Sequence, residues 1–226
     1  MKDAGVILDQ SGRFQYSIQD DDTIAIVRCL ERIPQLCIPE FLDGRKVTAL
    51  LEDSVNNNDF ETVVIPKTVS KIENPVFLAD YIREVFVAKE NPWFQTFDGI
   101  LVDIEACSIV FCPPKNPVSV LRVPSWIRSV RDFSFSSCVN LKQVILPEGL
   151  ESIGYESFEH CEELTDIYIP STVTHLGDWA FDDCPKLTLW VHRNVYHRIW
   201  GYFREFDNLN FELVEEEPSF FKMQGK

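Results

Sequence analysis

Residues 130–147 read VRDFSFSSCVNLKQVILP, and residues 153–170 read IGYESFEHCEELTDIYIP. A third copy, LGDWAFDDCPKLTLWVH, runs over 176–192 and ends one residue short. Pro124, Pro147 and Pro170 fall 23 residues apart. Repetition at a period of about 20–29 residues is the signature of a solenoid, whose units stack only on their neighbours. A residue in such a chain is read first by its place in the repeat and only then for chemistry.

Written generally, the unit is I-G-x-x-x-F-x-x-C-x-x-L-x-x-V-x-I-P. Its I-to-F step recurs at Val130–Phe135, Ile153–Phe158 and Leu176–Phe181, and earlier at Ile72–Phe77 and Leu50–Val55. After the Phe comes a stretch of β-branched and aromatic residues in alternation, which predicts a short strand. Such stretches occupy 60–66, 82–88, 141–147, 164–170 and 187–191, with further rungs at 35–39 and 120–124. Most end at Pro, which has no N–H to offer a ladder. One unit cannot bury its own apolar positions, but stacked units bury them together. Val144, Leu146, Phe158 and their equivalents are therefore the expected core.

The motif resembles the BspA-like class of leucine-rich repeats, a 23-residue type found in bacterial proteins. GRFQYSIQDDDTIAIVRC (12–29) looks like the opening hairpin of that class, and IPEFLDGRKVTAL (38–50) like its first rung. NPWFQTFDGILVDIEACSIVFCPP (91–114) resembles its hairpin insertion, and RNVYHRIWGYFREFDNLNFELVEEE (193–217) its helix-plus-strand cap. The departures are Arg131 in place of Gly, Ala88 and His192 in place of Pro, and Asn74-Pro75 in the second unit. The resemblance implies a leucine-rich-repeat solenoid: short parallel strands with short helical or irregular turns, a hairpin at the N-terminus and the cap at the C-terminus. The expected organisation is one solenoid over 1–217, with an N-terminal hairpin cap over 1–34, an insertion over 91–117, the cap over 193–217 and a tail over 218–226. The resemblance also implies adhesion or host contact, as in some members.

The formal net charge is −15, from 21 Lys and Arg against 36 Asp and Glu. Nucleic-acid binding needs a basic stripe to neutralise phosphates, so this balance argues against it. It argues equally against an anionic membrane surface. No run approaches the ~18–20 apolar residues of a membrane helix. The N-terminus carries no apolar h-region. Together with unpaired thiols, this favours a cytoplasmic chain, whereas a removed leader would leave the cell surface open.

The seven cysteines include Cys138, Cys161 and Cys184 at one repeat position. Stacking puts them in a column as small buried hydrophobes, and three stacked thiols cannot all pair. Cys107 and Cys112 lie in the insertion. There is no C-x-x-C and no paired Cys/His spacing for zinc. His160 and His175 sit at variable positions, His192 replaces a turn Pro and His197 lies in the cap. None has the base and orienting group that catalysis requires. Glu162-Glu163 and Asp182-Asp183 are adjacent in turns, not facing across a cleft. Asp20-Asp21-Asp22 is a hairpin turn without the spaced oxygens and Gly of a calcium loop. No catalytic residue, metal or cofactor is expected.

One column stands out. The residue two before the Pro position points away from the core side of each strand. It reads Cys37, Val64, Phe86, Arg122, Ile145, Tyr168 and Trp190. Large apolar side chains aligned this way form a partner patch, a face covered by another part of the chain, or a second core layer. Aromatics with one Arg match the composition of binding hot spots. Val64, Phe86, Arg122, Ile145, Tyr168 and Trp190 are therefore the candidate binding surface, with Phe86, Arg122, Tyr168 and Trp190 expected to be accessible. The function expected is a non-catalytic, monomeric interaction module for a protein or glycan partner. The alternatives are a structural domain of a larger surface protein and a hydrolase with its site near 91–117.

Overall fold

Phe14 and Tyr16 alternate with more exposed neighbours and are themselves only 1% and 3% exposed, so one face of the first hairpin is core. The computed structural model describes residues 5–56, 60–77, 80–203 and 210–222. They fall into two compact units, Met1–Glu105 and Ala106–Lys226. Each is described by itself.

The first unit opens with β1 (Ile7–Leu8), β2 (Phe14–Ile18) and β3 (Ile24–Cys29), an antiparallel meander. The Asp20–Asp22 turn joins β2 to β3, as expected, and Asp22 accepts an ion pair from Arg45 at 2.7 Å. β4 (Gln35–Cys37) begins the rungs. β5 (Phe41–Leu42) and β6 (Arg45–Leu50) form a hairpin through Asp43 and Gly44, at φ 47° and 81°. Two left-handed residues in a row make the turn whose twist suits a two-residue hairpin. β7 (Thr62–Ile65), β8 (Lys71–Ile72) and β9 (Glu84–Val87) follow, then β10 (Phe94–Phe97) and β11 (Ile100–Asp103). β4, β7 and β9 are parallel, and β8 pairs with β6. The I-to-F counting appears here as register: Leu50 pairs with Ile72, and Val55 bridges Phe77.

The second unit contains two columns of parallel strands. β12 (Ser108–Phe111), β14 (Ser129–Val130), β16 (Ser152–Ile153) and β18 (His175–Leu176) form one. β13 (Val120–Arg122), β15 (Gln143–Ile145), β17 (Asp166–Ile169) and β19 (Thr188–His192) form the other. α1 (Arg193–Phe203) and β20 (Asn210–Val214) cap it, with β20 parallel to β19, as the resemblance implied. Within the stretch expected to be the insertion, 91–117, β10 and β11 form an antiparallel hairpin, and Ser108–Phe111 is a fully buried strand parallel to Ser129–Val130.

The core follows the repeat. Leu121, Val144, Ile167 and Leu189 are fully buried on the inner side of their strands, and Leu146 and Phe158 are buried as expected. Each such side chain stabilises the fold by about 1.5–3 kcal/mol relative to exposure. Phe135, Phe158 and Phe181 stack at 4.7 and 5.5 Å, with rings 4° and 18° from parallel. The rungs approach closely at the repeat glycine. A Cβ on Gly154 would lie 2.4 Å from the Asp132 backbone nitrogen, and one on Gly177 2.3 Å from that of Tyr155. Where Arg131 replaces this Gly, its side chain reaches out to donate to the Ser108 hydroxyl at 2.9 Å.

The turns after the first column are laddered as well. Phe133, Phe135 and Ser137 donate their N–H groups to the carbonyls of Tyr155, Ser157 and Glu159. Glu156, Phe158 and His160 do the same to Asp178, Ala180 and Asp182. Two left-handed residues per rung make this path possible: Phe133, Glu156 and Trp179 at one position, and Ser137, His160 and Asp183 at the other.

Candidate binding surface

The outward column exists in register. Cys37, Val64 and Phe86 pair along β4, β7 and β9 in the first unit. Arg122, Ile145, Tyr168 and Trp190 pair along β13, β15, β17 and β19 in the second. Alternation sets the direction, since Val63 and Val85 face inward and leave Val64 and Phe86 on the other side.

The two stretches differ in what covers them. Phe86 is 50% exposed, Cys37 is exposed and Val64 half-buried. Ile145 and Tyr168 are each only 2% exposed, which corrects the expectation that Tyr168 is accessible. The cause is the segment after β20. It turns back through Pro218 into a short helix, α2 (Ser219–Lys222), and inserts Phe221 against Ile145 and Tyr168. Phe221 is fully buried, with its ring centroid 6.4 Å from that of Tyr168. Trp190 and Val214 pack on the same cluster. Arg122, the one cation of the column, holds the segment by donating to the Phe221 carbonyl at 2.6 Å and pairing with Glu217 at 3.4 Å. The residues read as a tail over 218–226 thus include a structural clasp over 218–222, and 223–226 lie outside the described residues.

Polar groups complete this side. The Tyr168 hydroxyl donates to Glu148 at 3.2 Å, and the Trp190 indole to Asp166 at 2.9 Å. Burial, with Glu148 beside it, pushes the Tyr168 phenol well above its ordinary value, so it stays a neutral donor. Beside the clasp lies an open pocket of about 750 Å³, bounded by Pro124, Pro147, Glu148, His192 and the Glu215–Glu217 run.

The thiols of the repeat column hydrogen-bond to backbone carbonyls. Cys161 and Cys184 donate to the carbonyls of Phe135 and Phe158 at 3.1 and 3.0 Å, and Cys138 to that of Cys112 at 3.6 Å. None of the seven cysteines is in a disulfide, and Cys37 is exposed and Cys107 half-buried. Burial raises the Cys138 thiol, and the neighbouring Cys184 thiol together with burial raises that of Cys161, so both are held in the unreactive neutral form. His160, His175 and His197 are exposed and His192 half-buried. In the 91–117 stretch, the buried Asn91 amide donates to the Pro66 and Val69 carbonyls and accepts from the Trp93 and Phe94 N–H groups. That amide ties loops together, with both of its N–H donors engaged by backbone carbonyls. Among the described residues, no group of three or more His, Cys, Asp or Glu side chains is disposed to hold a metal ion. No helix among them is long and apolar enough to cross a membrane.

The family model for the BspA type leucine rich repeat region matches six copies over residues 111–212. Residues 111–212 are a BspA-type leucine-rich repeat region. The first-unit rungs, which lie before the match, share its I-to-F register. No curated protein matches the chain in sequence. Among solved structures, a leucine-rich repeat protein from Eubacterium ventriosum is similar at a TM-score of 0.59 and 15% identity, covering 83% of this chain and 72% of its own. The pneumococcal vaccine antigen PcpA is similar at a TM-score of 0.58 and 21% identity over 68% of this chain. This chain spans only 44% of that antigen's structure. At such identities the likeness is one of fold. The leucine-rich-repeat solenoid expected from the sequence is the fold of the chain. The leucine-rich-repeat family is generally non-enzymatic, and the repeats suggest a protein-interaction or structural repeat domain.

Proposed function

We propose that the chain is a non-catalytic module that binds a protein partner through the outward face of β4, β7 and β9. The single observation that carries this reading is Phe86, a large aromatic held half in solvent on a rigid parallel sheet beside Val64 and Cys37. The equivalent side chains Ile145 and Tyr168 are covered by the chain's own Phe221, so the column position is one that takes an apolar cover. On the second unit that cover is supplied in cis. On the first, an aromatic or aliphatic anchor from a partner would bury Phe86 in the same way. Burying such an anchor in a desolvated centre supplies most of the affinity of a protein interface. Arg122, Ile145, Tyr168 and Trp190 then serve the clasp, and Val64 and Phe86 the partner.

The test uses partner protein captured on the immobilised chain, identified by mass spectrometry and purified. Titration of that protein against wild-type chain and Phe86→Ala should show a loss of about 2 kcal/mol, some thirtyfold in affinity. Unchanged affinity for Phe86→Ala, with binding intact, assigns the interaction elsewhere. A chain that captures nothing reproducible supports the structural-domain reading instead.

A further inference from the structure

A second surface lies on the turns after the first strand column of the second unit. Three successive rungs each place one aromatic and one carboxylate at the same two-residue corner: Asp132-Phe133, Tyr155-Glu156 and Asp178-Trp179. The rings form a continuous file, Phe133 to Tyr155 at 5.4 Å and Tyr155 to Trp179 at 5.5 Å, edge to face at 67° and 66°. Trp179 at the end of the file is 45% exposed, and Phe133 and Tyr155 are half-buried. We propose that this file docks an extended, arginine-bearing peptide segment of a partner protein, with guanidinium groups lying on the rings and paired to Glu156, Glu159 and Asp178. This goes beyond the reading of the β4–β7–β9 face and stands or falls without it.

Charge identifies the occupant. A cation over an indole or phenol face is attracted by the ring quadrupole, and more so with a carboxylate beside it. The corner is crowded with negative charge. Burial and the neighbouring Glu156 carboxylate push the Glu159 carboxyl up, with Asp182 adding to the effect, while His160, 3.6 Å away, draws it down. The Tyr155 phenol is pushed up to about 12 by its hydrogen bond to Glu156, by desolvation, and by the charges of Glu156, Glu159 and Asp178. An incoming cation relieves that repulsion, whereas an anionic or purely apolar ligand does not. Guanidinium suits the site better than ammonium, because its plane stacks on a ring while its edge donates two parallel hydrogen bonds to a carboxylate. Alternate residues of an extended chain lie ~6.8 Å apart on one face. That step is longer than the 5.4–5.5 Å spacing of the rings, and the long, flexible arginine side chains take up the difference of roughly 1.3 Å to reach successive rings.

The test is anisotropy titration of a fluorescent hexapeptide, Arg-Ser-Arg-Ser-Arg-Ser, against the full chain. The key variant is Trp179→Gly. Trp179 has φ 52°, a left-handed conformation that glycine adopts without strain, so this substitution removes the ring without a backbone penalty and without changing net charge. The expected result is saturable binding by wild type and at least a tenfold loss in Trp179→Gly, with cooperative thermal unfolding retained. The paired variant Glu156→Gln/Glu159→Gln should show a similar loss, and the same peptide with Gln for Arg should not bind. Equal binding by wild type and Trp179→Gly would mean diffuse attraction to an acidic chain and overturn the proposal. So would binding of a neutral oligosaccharide, lost in Trp179→Gly, in the absence of arginine-peptide binding.

Discussion

Phe158→Ala is expected to destabilise the fold by about 4 kcal/mol, the largest loss of any single truncation in the repeat. The ring is fully buried and lies between Phe135 and Phe181, which stack on its two faces at 4.7 and 5.5 Å. Its removal opens both rung interfaces at once, and in a repeat protein those nearest-neighbour interfaces carry much of the stability. The cavity cannot close easily. The rungs are tied at this level by Phe135 N–H to Ser157 O at 2.7 Å and Phe158 N–H to Ala180 O at 2.8 Å. Urea denaturation should show a lower midpoint with little change in slope. A loss below about 1.5 kcal/mol, the scale of a volume-conserving swap, would mean that the Phe column is not the axis of the core.

Tyr168→Ala is expected to cost about 3 kcal/mol. Tyr168 occupies the same strand position as Phe86, yet it is buried beneath Phe221 and flanked in register by Ile145 and Trp190. The truncation removes the floor of the clasp and leaves Glu148 without its phenol donor. Phe86→Ala, on the open stretch, should change stability by about 0.5 kcal/mol or less, as for other surface substitutions. Thermal melts of the two variants check both values. Equal losses would mean that Phe86 is also covered, and the proposed interface on β4, β7 and β9 would lose its basis.

Counting from the repeated prolines and the I-to-F step was enough to read the rungs, their register and the direction of each side chain. Pro spacing marks the strand ends, and alternation at period two separates Val144 and Leu146 from Ile145 without further information. The thiol column was legible for the same reason. What covers a face was not. Phe221 lies in EEEPSFFK, a stretch without periodicity, and its docking depends on a long-range contact that no local pattern encodes. The first strand column of the second unit also escaped reading, because two-residue strands such as Ser129–Val130 show no alternation. The aromatic file was hidden by its own offset: Tyr155 sits one place earlier in its repeat than Phe133 and Trp179, so aligning the copies separates rings that the turns bring together.

The central claim is that one repeat position has two roles, an open face at Phe86 and a closed one at Tyr168. Hydroxyl-radical labelling of the intact chain, read by peptide mass spectrometry, tests it most directly. Phe86 is expected to be oxidised readily while Tyr168 and Phe221 are protected together. Labelling of Tyr168 as fast as that of Phe86 would contradict it.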